Sequence, residues 1–84
     1  MSRNIVLAVD DEPFNLEILE EILEDDYQVH CAISGPECLA IAKDLQPNVI
    51  LLDVSMPDMN GYEVCRQLKA DSRTGTIPVM FVSA

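Results

Sequence analysis

Basic side chains are scarce in this chain of 84 residues: 5 Lys and Arg stand against 15 Asp and Glu, a formal net charge of −10. Nucleic-acid phosphates and anionic lipids are bound mainly through Lys and Arg, so the balance argues against both as partners of this segment. Tryptophan is absent, and no apolar run approaches the roughly 20 residues that span a bilayer. An acidic surface suits divalent cations or basic partner surfaces instead.

Cysteine is also scarce, with three residues, Cys31, Cys38 and Cys65, and no CxxC spacing. This pattern favours neither a zinc site nor a disulfide framework and is typical of buried, reduced thiols. The single histidine, His30, has no second histidine at a metal-binding spacing. The start of the chain lacks a signal-peptide pattern, and we therefore expect a cytoplasmic protein.

Hydrophobic residues make up 49% of the chain and lie in segments of alternating type. Residues 4–9, 48–52 and 77–82 are nearly continuous apolar runs, typical of strands buried on both faces, and residues 27–32 alternate as in a strand near an edge. The segments between them predict three helices, over residues 14–24, 34–45 and 62–68. The order β-α-β-α-β-α-β predicts one α/β domain with a parallel sheet and helices on both faces.

The first two predicted helices carry start signals and apolar stripes. Pro13 suits a first helical turn, with an acidic residue just ahead of it as cap, and residues 34–37 read as a capping box. Leu16 is expected at the edge of the first helix's buried stripe, and the glutamates of that helix are expected to face solvent. The centre of the stripe is predicted to consist of Phe14, Ile18 and Ile22.

Polar side chains follow three of the four predicted strands. Asp10 and Asp11 follow the first strand, Asp53 follows the third and Ser83 follows the fourth. The carboxyl ends of parallel strands share one edge, and the acids meet there if the first strand lies between the second and the third. Three carboxylates repel one another unless a cation lies between them, and all-oxygen ligands suit Mg²⁺. An aspartate beside Mg²⁺ can accept a phosphoryl group.

Each of these residues also has a purely structural interpretation. Asp10 or Asp11 could cap the first helix, and Asp53 could form an Asx turn ahead of a loop rich in Pro and Gly. Three acids after two separate buried strands are harder to explain by capping alone. The residues themselves therefore favour a cation or phosphate site without excluding the structural roles.

Four segments together resemble the receiver domain of bacterial two-component response regulators: VDDE (residues 9–12), VILLD (49–53), MPDMNGYE (56–63) and IPVMFVSA (77–84). They occur in the family's order and spacing over the whole chain. The resemblance implies a flavodoxin-like open parallel sheet of order 2-1-3-4. It also implies that residues 1–84 are a partial receiver domain, without the fifth strand, the last two helices and the lysine that the family carries at the end of the fifth strand.

The resemblance further implies a role for each matching residue. Asp53 would accept a phosphoryl group, in the presence of Mg²⁺, from a histidine kinase or a phosphotransfer protein in a phosphorelay. Asp10 and Asp11, with Asp53 and the backbone carbonyl of Ser55, would hold the metal. The Ser83 hydroxyl would be the switch group that reaches the phosphoryl group. Such a receiver promotes its own phosphorylation and does not turn over a substrate.

Two other functions remain open at this point. The same fold could be a non-phosphorylated interaction or assembly module, or an inactive fragment that associates with itself through an exposed fourth-strand edge. Its association would then be indifferent to Mg²⁺ and to Asp53→Asn. An aspartyl-phosphate phosphatase also fits the acids, but no separate general acid or specificity domain is visible in the sequence.

Overall fold

The computed structural model describes residues 3–57 and 59–82 of the chain. These residues form a four-stranded parallel sheet of order β2-β1-β3-β4, the order that the resemblance implies. In the described ranges, no helix combines the length and the apolar character needed to cross a bilayer. The elements, in chain order, are β1 (Asn4–Val9), α1 (Pro13–Leu23), β2 (Tyr27–Ala32), α2 (Gly35–Leu45), β3 (Val49–Asp53), α3 (Gly61–Ala70) and β4 (Val79–Val82).

Strand β1 lies inside the sheet and aligns the ends of its neighbours. Val9, its last residue, pairs with Ala32 of β2 on one side and with Leu52 of β3 on the other. Asp53 is in turn in register with Val82 of β4. The turns after β1 and β3 therefore leave the sheet side by side, at the carboxyl edge where open parallel sheets bind their ligands.

The main core lies between the sheet and the pair formed by α2 and α3. Leu7 and Val9 of β1 belong to this core, while Val6 and Ala8 are buried outside it. Side chains alternate along a strand, so Val6 and Ala8 face the other side of the sheet, where α1 contacts β1 and β2. The buried residues of the main core are Leu7, Val9, Ala32, Cys38, Ala42, Ile50, Leu52, Met56, Val64, Leu68 and Ile77.

The buried face of α1 differs from the predicted one. Leu16, which the periodicity places at the edge of the stripe, is 5% exposed and is the buried residue of the helix. The expected centre of the stripe lies outside, with Phe14 68%, Ile18 40% and Ile22 66% exposed. Both sets of residues have helical spacing. The periodicity therefore identifies an amphipathic helix without deciding which part of a wide apolar stripe meets the sheet.

The prediction that residues 77–82 form a strand buried on both faces is wrong for the strand itself. Ile77 is buried, but β4 begins at Val79, and Met80, Phe81 and Val82 are 59%, 43% and 38% exposed. In the part of the chain that the structure describes, β4 pairs with β3 alone. A continuous apolar run predicts a strand, but its burial depends on which elements cover it.

The helix starts follow local hydrogen bonding. The Ser34 hydroxyl accepts a hydrogen bond from the Glu37 N–H at 3.2 Å, and the Glu37 carboxylate accepts one from the Ile33 N–H rather than from Ser34. Ser34 therefore caps α2 as predicted. The Glu37 carboxylate bonds the N–H one residue before the one that a capping box uses. Glu12 occupies the cap position of α1, ahead of Pro13, but its side chain makes no capping bond.

Candidate functional site

Three carboxylates meet at the carboxyl edge of the sheet. One oxygen from each of Asp10, Asp11 and Asp53 lies within 4.8 Å of the other two, and all three residues are partly buried. The topology that the sequence predicts therefore brings together the acids that the sequence singles out. They open into a cleft of about 560 Å³. Its lining residues are Asp10, Asp11, Glu12, Asn15, Asp53, Val54, Ser55 and Tyr62.

Asp10 shapes the turn between β1 and α1. Its Oδ1 accepts a hydrogen bond from the Glu12 N–H at 2.9 Å, and its Oδ2 accepts one from Asn15 Nδ2 at 3.2 Å. The capping interpretation of this residue is therefore partly correct, because Asp10 satisfies a backbone donor at the start of α1. The same two hydrogen bonds fix the orientation of the Asp10 carboxylate, which still lies within 4.8 Å of the carboxylates of Asp11 and Asp53.

Asp53 ends β3 and begins the next turn. Its Oδ1 accepts a hydrogen bond from the Ser55 N–H at 3.3 Å, which is the Asx-turn contact that the sequence leaves open. The turn is closed by a 2.8 Å hydrogen bond from the Gly61 N–H to the Val54 carbonyl. The structural and chemical interpretations of Asp53 are thus compatible, since the turn holds the carboxylate in the cleft.

The surroundings of Asp53 disfavour its charged form. Partial burial raises the pKa of the Asp53 carboxyl above its ordinary value of 3.8. The hydrogen bond from the Ser55 N–H lowers this pKa, and the negative charges of Asp10 and Asp11 raise it again. The net direction is upward. Repulsion among the carboxylates is therefore part of the cost of keeping Asp53 ionised, and a cation between them would remove that part.

The donor set fits a hard divalent cation. The cluster offers carboxylate oxygens alone, and the described residues that line the cleft include neither Cys nor His. Mg²⁺ prefers oxygen ligands and is usually held by one or two carboxylates with waters and a phosphate. Soft metals that need thiolate or imidazole ligands fit this site poorly. The arrangement can therefore hold Mg²⁺ beside an oxygen nucleophile.

The two serines of the predicted site stand differently. Ser55 lines the cleft and is exposed, and the role expected of its backbone carbonyl stays a prediction. Ser83, the expected switch hydroxyl, lies outside the described residues, as does Ala84. Val82, the last described residue, is in register with Asp53.

Tyr62 is a feature of the cleft to which the sequence assigned no role beyond the third helix. It lines the cleft at the start of α3, its side chain is 63% exposed, and its ring centroid lies 5.0 Å from that of Phe81. A signal was available, because a large aromatic residue directly follows Asn60 and Gly61, which begin the third helix just after the loop that follows Asp53. The apolar spacing of the third predicted helix assigned Tyr62 to that helix only.

Comparison with known proteins agrees with this geometry. The family model for the response regulator receiver domain matches residues 6–84. The chain is 45% identical over 80 residues to response regulator PleD of Caulobacter vibrioides, an alignment that covers 94% of this chain and 18% of PleD. It is 39% identical over 79 residues to protein PilH of Pseudomonas aeruginosa, with 93% of this chain and 65% of PilH covered. The chain thus spans less than two thirds of either relative.

Solved structures give the same answer for the fold. Chemotaxis response regulator CheY4 of Vibrio cholerae superimposes with a TM-score of 0.89 at 33% identity, over 95% of this chain and 68% of that one. The N-terminal domain of a response regulator receiver protein from Methanoculleus marisnigri superimposes with a TM-score of 0.89 at 36% identity, over 92% and 63% of the two chains. The chain therefore belongs to the response regulator receiver domain family.

Proposed function

We propose that this chain is the phosphoacceptor part of a two-component phosphorelay, in which Asp53 takes a phosphoryl group from a histidine kinase or phosphotransfer protein. The observation that carries the proposal is the convergence of Asp10, Asp11 and Asp53 within 4.8 Å at the mouth of an open cleft. Membership of the receiver family supports it. The protein would work in the cytoplasm, where phosphohistidine donors are made.

Asp53 acts as the nucleophile in this proposal. One of its carboxylate oxygens forms the new bond to phosphorus while the bond from phosphorus to the donor nitrogen breaks and that nitrogen keeps the electron pair. The Ser55 N–H orients the attacking carboxylate, because it donates a hydrogen bond to Oδ1 of Asp53 at 3.3 Å. The product is an aspartyl phosphate, and the chain accepts the group without turning over a separate substrate.

Asp10 and Asp11, with Asp53 and the backbone carbonyl of Ser55, are the residues that would hold Mg²⁺. The bound ion supplies charge neutralisation for the transferring phosphoryl group. Asp10 is fixed by its bonds to Glu12 and Asn15 and so presents its carboxylate in one orientation.

The test is the intact mass of the protein after incubation with a small phosphodonor such as acetyl phosphate, with and without Mg²⁺. We expect one phosphoryl adduct that requires Mg²⁺ and is lost in Asp53→Asn. Asp25→Asn changes an exposed aspartate outside the cleft and should retain the adduct. An adduct that persists in Asp53→Asn, or its absence from a folded wild-type protein in Mg²⁺, would overturn the proposal.

A second candidate function is assembly through β4, and one observation favours it. Met80, Phe81 and Val82 are exposed on a strand that, in the described ranges, pairs only with β3. Unpaired edge strands with apolar side chains pair readily with a second copy of the same chain. Sedimentation of the 84-residue chain should then show dimers that weaken in Met80→Lys and that ignore Mg²⁺ and Asp53→Asn. A monomer at all concentrations would exclude this function.

A further inference from the structure

Tyr62 is placed at the acidic cleft although the fold does not need an aromatic residue there. The buried residues of α3 are Gly61, Val64 and Leu68, and the side chain of Asn60 caps the helix by accepting a 2.9 Å hydrogen bond from the Glu63 N–H. Tyr62 contributes to neither the core nor the cap. Its side chain is 63% exposed, so burial of its ring adds little to stability.

The ring of Tyr62 is nevertheless held in place. Its centroid lies 5.0 Å from that of Phe81, with the two ring planes inclined at 50°. Tilted aromatic pairs at this distance attract each other beyond simple burial. Phe81 is itself 43% exposed. The pair therefore joins β4 to the start of α3 at the rim of the cleft and leaves much of the Tyr62 ring open.

The cleft around this ring is strongly acidic. Four of its lining residues are Asp or Glu, and none of the described lining residues is Lys or Arg. Tyr62 is the aromatic side chain among them. An aromatic ring face attracts cations, and it also stacks with flat rings. An exposed aromatic ring in an acidic cleft therefore favours a ligand group that is both flat and positively charged.

We propose that Tyr62 binds the imidazole ring of the phosphodonor and so gives the site a preference for phosphoimidazole-type donors over acyl phosphates. The inference rests on the proposed function of Asp53. A phosphoimidazole that carries a proton on its second ring nitrogen is flat and positively charged on the ring. As the oxygen–phosphorus bond to Asp53 forms, the phosphorus–nitrogen bond breaks and its electron pair stays on that nitrogen. The ring then leaves as neutral imidazole with its proton.

The imidazole ring lies against Tyr62 both in the bound donor and in the transition state, before it departs. The contact therefore raises donor affinity, and with it the second-order rate constant, and leaves the maximal rate of transfer unchanged. Phe81 is a positioning residue in this scheme, since it acts by holding Tyr62 at 5.0 Å. Acetyl phosphate has neither a ring nor a cationic group to bind Tyr62. Its rate of labelling therefore measures the contribution of the other residues of the site.

The experiment compares monophosphoimidazole with acetyl phosphate as donors to the purified protein in Mg²⁺. The quantity measured is the ratio of the two second-order rate constants for labelling of Asp53. We expect Tyr62→Leu to lower this ratio roughly two- to fivefold, through donor affinity, and Tyr62→Phe to keep it close to the wild-type value. Phe14→Leu is the matched control, because Phe14 is 68% exposed and lies outside the cleft lining.

Phe81→Leu gives a second test that leaves Tyr62 in place, and it should lower the ratio by a smaller factor. It also serves if circular dichroism shows that Tyr62→Leu has not folded. An unchanged ratio in folded Tyr62→Leu, or equal losses for both donors, would overturn the inference while leaving the function of Asp53 intact. Failure of both donors to label the wild-type protein would instead remove the proposed function, and this inference with it.

Discussion

Gly61 lies directly against the backbone of Val54, one residue beyond Asp53. Its N–H donates a 2.8 Å hydrogen bond to the Val54 carbonyl. A Cβ atom at position 61 would lie 2.9 Å from the Cα of Val54 and would overlap the carbonyl oxygen of Asp53. Both are main-chain atoms, which cannot rotate away as a side chain can. The start of α3 therefore reaches the site only because residue 61 has no side chain.

Gly61→Ala should lower the free energy of unfolding by about 2–3 kcal/mol, because the new methyl group pushes the turn after β3 away from α3. Urea denaturation measures the loss. Gly75→Ala is the matched control, since its Cβ would meet the Asp71 carbonyl at 3.1 Å and the Lys69 carbonyl at 3.3 Å, a crowding that small shifts relieve. Equal losses in the two variants would contradict the argument.

Asp53→Asn should raise the melting temperature at neutral pH in the absence of Mg²⁺. Folding raises the pKa of Asp53 above 3.8, so the folded state binds this proton more tightly than the unfolded state does. Stability from this group is therefore present at low pH and is lost as the pH rises through the raised pKa. Asparagine carries no charge and avoids that loss. The gain should be measurable by thermal unfolding and should vanish as the pH falls below 3.8, where the carboxyl is protonated in both states.

Mg²⁺ should reverse the order of the two proteins. In the proposed function the ion binds the folded carboxylate cluster, so it should stabilise the wild-type protein by mass action, whereas Asp53→Asn would lack one of the proposed ligands. Asp25→Asn removes an exposed charge outside the cleft and should respond to Mg²⁺ as the wild type does. If Mg²⁺ stabilised Asp53→Asn as much as the wild type, Asp53 would have no part in holding the ion.

Local signals in the sequence predict the α/β alternation and the candidate acids, whereas the strand order that brings these acids together comes from the resemblance to receiver domains. Apolar runs identify β1 and β3, and parallel alternation places their carboxyl ends together, which brings Asp10, Asp11 and Asp53 to one edge. The Asx turn of Asp53 follows from a loop rich in turn-forming residues. No pairing between distant side chains had to be known in advance for these features.

The hydrophobic pattern of the sequence does not predict features that depend on which surfaces pack together. The stripe of α1 is wide enough that Leu16 and Ile22 are equally apolar choices for its centre, and only packing against the sheet selects Leu16. The contact between Tyr62 and Phe81 joins residues 19 positions apart on different elements. Neither spacing nor composition contains that information, because the contact depends on how the start of α3 and β4 are placed in the folded chain.

The corrected face of α1 leads to a mutational prediction. Leu16→Ala should lower the free energy of unfolding of the 84-residue chain by about 2–4 kcal/mol, because it leaves a cavity against β1 and β2. Ile22→Ala removes a similar side chain that is 66% exposed and should cost less than about 1 kcal/mol. Chemical denaturation measures both values. The reverse order would restore the stripe that the periodicity predicts.

Thr74 is the buried polar residue of the described chain, at 1% exposure, and its hydroxyl donates a 2.7 Å hydrogen bond to the Leu68 carbonyl near the end of α3. Thr74→Val keeps the shape of the side chain and removes this donor from a buried carbonyl. We expect a loss of about 1–2 kcal/mol in urea denaturation. Thr76→Val, at an exposed position in the same loop, should change stability by less than about 0.5 kcal/mol. The difference between the two isosteric changes isolates the buried hydrogen bond, and its absence would mean that the loop entering β4 is held by its backbone bonds alone.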